Sequence, residues 1–188
     1  STQGYSSAAS DVYKRQGTGL HQTTQLCMLQ LEKYIDENSV VADLGCGSGI
    51  LSVVALLLGA KSAFAVDIDA NAIKTAYENA DLSGVDKSKY YVTSGNVIDD
   101  KALQDEIGYD KYDVVVANII ADVICAISPV VPKQLKKGGV FIASGIIKDR
   151  IDDVYKALAE VGLKVIDTSI KDEWVSITSI KELSLIHI

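Results

Sequence analysis

Residues 40–50 read VVADLGCGSGI: an apolar run ends in an acid, and Gly45, Gly47 and Gly49 follow within five residues. Glycine loses more backbone freedom on ordering than any other residue. Three so close together are kept where the chain must turn sharply or let another group approach its backbone. The run before them, SVVADL, has the length and composition of a buried strand, and SGILSVVALLLG after them reads as a helix closed by Gly59. Strand, glycine loop and helix in that order form the entry to an α/β sheet, whose ligands sit beyond the strand ends.

The alternation continues along the chain. Upstream, TTQLCMLQLEKYI places Leu26, Leu29 and Tyr34 on one helical face. Downstream come SAFAVDI (strand) and DANAIKTAYENADLSG, a helix capped by Asp69 and stopped at Gly84. KYYVTSG (strand), KALQDEI (short helix) and YDVVVANI (strand) follow. ADVICAI is helical, and Ser128 and Pro129 are expected to restart the helix as cap and first residue. PKQLKKGG reads as a solvated helix end with its cations toward the C-terminus. GGVFIASGI is a strand, KDRIDDVYKALAEVG a helix, and LKVIDTSI and EWVSITSI are two closing strands joined only by KDE. So short a link cannot make a parallel crossover, so the last pair is antiparallel. The expectation is an α/β chain with a seven-stranded, mainly parallel sheet, helices on both faces and one antiparallel strand. This resembles the Rossmann-like fold of class I methyltransferases.

The ends of the chain read differently from its middle. DVYKRQ (residues 11–16) and LSLIHI (residues 183–188) can be encoded by the two strands of one inverted repeat, which matches a transposon end used in preparing sequencing libraries. Residues 1–16 and 183–188 are therefore expected to be non-native flanks around a native domain at 17–182, a gene fragment whose true start lies upstream. That length suffices for one domain with a sizeable core. The formal charge of −7 argues against a phosphate-backbone partner such as nucleic acid. Cys27, Cys46 and Cys125 show no C-x-x-C spacing, and His21 is the one histidine of residues 17–182, so no metal cluster is expected. The cysteines read as small buried apolar groups in a reducing compartment. No apolar run approaches membrane-spanning length, and the cytoplasm is the expected location.

The dinucleotide fingerprint G-x-G-x-x-G would need glycine where Ile50 stands, and the lysine of a phosphate-binding P-loop is missing. The form D-x-G-x-G-x-G, from Asp43 to Gly49, resembles instead the S-adenosylmethionine loop of class I methyltransferases. Such a loop admits the ribose and methionine portions of that ligand. Asp67 ends the second strand 22 residues after Gly45 and can accept hydrogen bonds from both ribose hydroxyls, a feature that serves NAD equally. Asn96, in SGNV after the third strand, can lie beside an adenine or make an Asx-type turn.

Two further stretches, GTGLHQTTQLC (residues 17–27) and VVVANIIADV (residues 114–123), join DLGCGSGILS, VDIDANAI and DEWVSI. Together they resemble the bacterial methyltransferases of large-subunit ribosomal protein eleven, across essentially all of residues 17–182. The resemblance implies a cytoplasmic, S-adenosylmethionine-dependent N-methyltransferase acting on lysine and N-terminal amines of that ribosomal protein. It implies cofactor contacts at Thr24, Gly45, Asp67 and Asn118, which join Gly47, Gly49 and Asn96 of the class I pattern. Asn118 is the candidate catalytic residue, its side-chain carbonyl orienting the acceptor amine, although NIIA lacks the prolines and aromatic of Asn-Pro-Pro-aromatic enzymes. The family's proline after the histidine is Gln22 here, and its N-terminal domain for substrate recognition would lie upstream of this chain. His21 reads as a loop organiser in preference to a base, and Trp174 as packing in preference to a substrate platform. The alternatives are a small-molecule amine methyltransferase and a fragment that binds S-adenosylmethionine without turnover. An oxidoreductase is disfavoured by Ile50 and the closing hairpin.

Overall fold

The apolar runs alternate between strand and helix as their periods require, and the computed structural model describes them over residues 22–183. The flank 1–16, the GTGLH segment with His21, and residues 184–188 lie outside the described residues. Helix α1 (Gln22–Tyr34) leads into β1 (Val40–Leu44), α2 (Ile50–Leu57), β2 (Ser62–Asp67), α3 (Asn71–Leu82), β3 (Tyr90–Ser94) and α4 (Lys101–Ile107). Then come β4 (Tyr112–Asn118), α5 (Ala121–Ile127), α6 (Val131–Gln134), β5 (Leu135–Ile147), α7 (Ile151–Glu160), β6 (Leu163–Lys171) and β7 (Trp174–Lys181). The sheet has seven strands in the order β3-β2-β1-β4-β5-β7-β6. All pairings are parallel except those of β7, which runs antiparallel to both β5 and β6.

The period of two along each strand decides where the core sits. In β4, Val114 and Val116 face a cluster with Cys27 and Leu31 of α1, Val53 and Val54 of α2 and Ala76 and Ala80 of α3. Val115 and Ala117 face the other way, onto Leu103 and Ile107 of α4, Ile124 of α5 and Val154 and Leu158 of α7. Both faces are therefore dry, which is why the central strands read as continuous apolar runs. Among the described residues, no helix is long and apolar enough to cross a membrane.

Four local expectations are corrected. The buried face of α1 is Thr23, Thr24, Leu26, Cys27, Gln30 and Leu31, while Leu29 is 56% exposed. The sequence hides this because the face includes a buried glutamine: Gln30 donates to Ser169 and accepts from Thr178, so it replaces water with strand hydroxyls. Ser128 does not cap a new helix, since its hydroxyl donates back to the Ile124 carbonyl at 2.7 Å. The short α6 instead carries Pro132 in its first turn. PKQLKKGG is not one helix end: the helix stops at Gln134 and β5 begins at Leu135, with Lys136 paired to Asp113 of β4. Cys27 and Cys46 are buried as expected, but Cys125 is only half-buried, its thiol directed to the Asp153 carbonyl.

Phe141, fully buried on β5 in the α4–α7 side of the core, has no room to be truncated without leaving a cavity. Phe141→Ala is expected to cost about 3–5 kcal/mol, read as a lowered midpoint in urea denaturation.

Candidate functional site

Strand order turns back at β1, which pairs with β2 on one side and β4 on the other, and ligands of such sheets lie beyond the strand ends at this point. After Leu44 the N–H groups of Gly45 and Cys46 both donate to the Val66 carbonyl, at 2.7 and 2.9 Å, stapling the loop to the end of β2. Asp67, the last residue of β2, accepts from the Gly47 N–H at 2.8 Å and from the Asp69 N–H at 2.9 Å. Each carboxylate oxygen keeps a further lone-pair direction, so the acid can still accept from the hydroxyls of a ligand.

Gly49 starts α2 at φ 77, and a Cβ there would lie 2.7 Å from both the Ala76 Cβ and the Tyr90 hydroxyl, so only glycine fits. Gly47 differs: among the described residues nothing lies within 4 Å of its would-be Cβ. The middle of the loop thus offers bare backbone to open space, bordered by the anchored Asp67 carboxylate. Ile68 and Ile98, just past β2 and β3, leave large apolar side chains exposed at the same edge of the sheet. A cradle of uncharged backbone, one carboxylate and apolar side chains suits a nucleoside joined to an amino acid better than a pyrophosphate.

On the other side of the switch point, Asn118 ends β4 and its Nδ2 donates to Thr24 Oγ1 at 3.1 Å. Its register partner on β5, Ser144, donates its hydroxyl to the Thr23 carbonyl at 2.9 Å. The first turn of α1 is tied in this way to two adjacent strand ends. Gln22 donates to Asp172 at 2.7 Å and Lys171 donates to Gln25, so the β6–β7 turn holds the same helix end. With its nitrogen committed to Thr24, the Asn118 amide has a fixed orientation and presents Oδ1 as an acceptor.

The structure thus brings Thr24 and Asn118 into contact and places Gly45, Gly47, Gly49 and Asp67 together on the neighbouring strand ends. The two groups touch through Ile119, whose Cγ2 lies 2.8 Å from the point a Gly45 Cβ would occupy. Asn96 stands one strand further out and makes the Asx-type turn, its Oδ1 accepting from the Ile98 N–H at 3.0 Å. The cap expected at Asp69 is corrected: Ala70 occupies the N-cap of α3 without a side-chain bond, and Asp69, one residue earlier, accepts from the Asn71 N–H at 2.9 Å. Trp174 opens β7 opposite Ile147 and Lys171, a packing position in the sheet. Sequence reasoning passed over Thr23 and Ser144, which complete the clasp on α1. The signal available was the isolated serine–glycine pair inside the run VFIASGII, the mark of a bulge or close approach.

The family described as ribosomal protein L11 methyltransferase (PrmA) matches residues 16–182. A protein of that name from Agathobacter rectalis is 49% identical over 168 residues, and one from Lachnospira eligens is 46% identical over 164. These alignments cover 88% and 87% of this chain and 52% of each relative, so the chain spans about half the length of the curated relatives it matches. Among solved structures, ribosomal protein L11 methylase from Lactobacillus delbrueckii subsp. bulgaricus superposes with a TM-score of 0.78 at 33% identity, over 88% of this chain and 81% of that one. A SAM-dependent methyltransferase fold from Streptococcus mutans, at 14% identity and a TM-score of 0.72, shares the fold over 87% of this chain and 50% of its own.

One acid at the site is buried. Asp43 is 1% exposed, and its Oδ2 accepts from the Ser52 N–H at 3.1 Å, supplying a partner to a donor in the first turn of α2. Its Oδ1 has no hydrogen-bond partner among the described residues. Burial pushes this carboxyl from 3.8 up to about 7, opposed by the hydrogen bonds from Ser52 and assisted by the charge of Asp67. Burial also raises the Cys27 and Cys46 thiols, with the charge of Asp43 adding to both, so neither supplies a thiolate near neutral pH. Because the folded state holds the Asp43 proton more tightly than the unfolded chain, stability falls as pH rises from about 4 to about 7 and is level above that. Asp43→Asn is expected to flatten this fall, of which roughly 3 kcal/mol lies between pH 5 and pH 8, in urea denaturation at those two values.

Proposed function

Because the chain belongs to the ribosomal protein L11 methyltransferase family, we propose that it is the catalytic unit of an S-adenosylmethionine-dependent protein N-methyltransferase, acting on lysine and N-terminal amines of ribosomal protein L11. On this reading residues 17–182 are the catalytic domain, residues 1–16 and 183–188 are flanks, and the protein works in the cytoplasm. The observation that supports the reading is the Thr24–Asn118 hydrogen bond, which fixes the Asn118 amide at the end of β4, the strand beside the one that leads into the glycine loop.

S-adenosylmethionine supplies a sulfonium methyl: the N–C bond forms as the S–C bond breaks, and the bonding pair leaves on sulfur. On this reading Asp67 would hold the ribose hydroxyls, the backbone of Gly45, Gly47 and Gly49 would admit the ribose and methionine portions, Asn96 would serve the adenine, and Thr24 and Asn118 would serve the methionine end. Asn118 Oδ1 accepts an N–H of the acceptor amine and orients its lone pair, and the proton released after transfer goes to solvent. The chain needs no strong base for this, because alignment of the two reactants lowers the barrier. It does need the neutral amine. With a lysine reference pKa of about 10.4, roughly one amine in a thousand is neutral near pH 7.4.

Calorimetric titration tests the cofactor assignment. S-adenosylmethionine is expected to bind and NAD not, with Asp67→Ala weakening binding by about 10- to 100-fold through loss of charge-assisted hydrogen bonds. Binding of NAD alone would sink the proposal. Transfer of labelled methyl to purified ribosomal protein L11 separates turnover from simple binding. Its rate on lysine amines is expected to rise about tenfold per pH unit between pH 7 and 9, following the neutral fraction.

A further inference from the structure

Asn118 ends β4, which is flanked by β1 and β5, and Ile119 follows it; a glycine of positive φ stands on each side, Gly45 just past β1 at φ 76 and Gly145 within β5 at φ 83. Gly45 makes room for the Ile119 side chain. Gly145 makes room for the peptide itself. A Cβ at Gly145 would lie 2.7 Å from the Ile119 carbonyl oxygen, 3.0 Å from the Ile119 nitrogen and 3.0 Å from Asn118 Oδ1. The strand is irregular at this point, for the β5–β7 register shifts between Ala143 and Ile146, so Gly145 sits in a bulge pressed toward β4. The Ile119 N–H, donated to the Ser144 carbonyl at 3.1 Å, holds the two chains at that spacing.

We propose that Gly145 is a positioning residue for methyl transfer: its missing side chain lets the Asn118 amide and the Ile119 carbonyl lie flat against β5, where Asn118 keeps its bond to Thr24 and presents Oδ1 to the acceptor. The proposal rests on the methyltransferase reading above. Two of the three near atoms are backbone and cannot rotate away, so an alanine methyl displaces the Asn118–Ile119 segment as a unit. The other near atom is Oδ1 itself, at 3.0 Å, so the acceptor moves with the segment. A misplacement of about 1 Å at a group that aligns reactants costs about a hundredfold in rate.

The test compares Gly145→Ala, Asn118→Ala and the double variant in labelled methyl transfer to purified ribosomal protein L11, with Gly162→Ala as control. Gly162 has nearly the same φ, 80, but among the described residues nothing within 4 Å of its would-be Cβ, so it carries the backbone strain without the collision. Gly145→Ala is expected to lower kcat about a hundredfold with the KM for S-adenosylmethionine within threefold of wild type. The double variant is expected to be no slower than Asn118→Ala alone. A Gly145→Ala kcat within threefold of wild type, multiplying losses in the double variant, or an equal loss in Gly162→Ala would overturn the proposal. If Gly145→Ala does not fold, the double variant decides: recovery of folding identifies the Asn118 collision, and continued failure means the glycine serves folding alone. If the wild type transfers no methyl, the functional reading fails. Crystal structures of wild type and Gly145→Ala then read the positioning directly, and an intact Asn118–Thr24 bond in the variant would overturn it.

Discussion

The hydrogen bond from the Ser52 N–H to Asp43 joins the last turn of backbone in β1 to the first turn of α2, and everything at the ligand edge is referred to it. It lets the five-residue loop between them carry no side-chain supports of its own and still keep one path. Further anchors come from the next strand, through the Val66 carbonyl and the Asp67 carboxylate, and from α3, where Asn79 donates to the Ser48 carbonyl. The arrangement has a cost, because the second oxygen of Asp43 is buried without a hydrogen-bond partner among the described residues, a loss of about 1–3 kcal/mol. A chain that tolerates this has put rigidity at the loop above stability.

Opposite that loop, the clasp on α1 does comparable work by different means. Side chains from β4, β5 and the β6–β7 turn converge on one helical turn, and each donates to or accepts from a different group on it. The result is an acceptor amide whose direction is set by its surroundings and not by its own rotamer preference. Chemistry that depends on aligning a neutral amine needs such an amide more than it needs an acid or base. It also fits that the thiols of Cys27 and Cys46, which border the same region, are held protonated by burial.

Much of this was legible in the residues. The central strands announced themselves because both faces are buried, and the glycine loop because Gly49 and its neighbours leave no other way to turn. Asp67 stands out by where it ends its strand, while Asn118 is singled out by the family resemblance of the stretch VVVANIIADV. Other features were hidden for physical reasons. The face of α1 could not be read from apolar spacing, since Gln30 and two threonines are buried on it by pairing with hydroxyls and strand ends that are distant in sequence. The early start of β5 at Leu135 was masked by two lysines that lie exposed on the strand. Asn96 carried two local meanings, and the turn it makes with Ile98 is a short-range event that a single sequence cannot rank against a ligand contact. The clasp of Thr23 and Ser144 spans more than a hundred residues and leaves only a serine–glycine pair as its trace.

The strand order has a consequence for how the molecule is made. β7 is the last element of the described chain, yet it lies between β5 and β6, and β6 has no other strand to pair with. During synthesis the first five strands can assemble in sequence with their helices, but β6 emerges with nothing to join. It must wait, its edge open, until the residues through Lys181 have cleared the exit channel and β7 can slide into the gap. The same late insertion brings the β6–β7 turn up to α1, so the clasp on the amide acceptor closes only when the final strand is home. A nascent or C-terminally nicked molecule would carry the nucleoside cradle before it carried the means to use it.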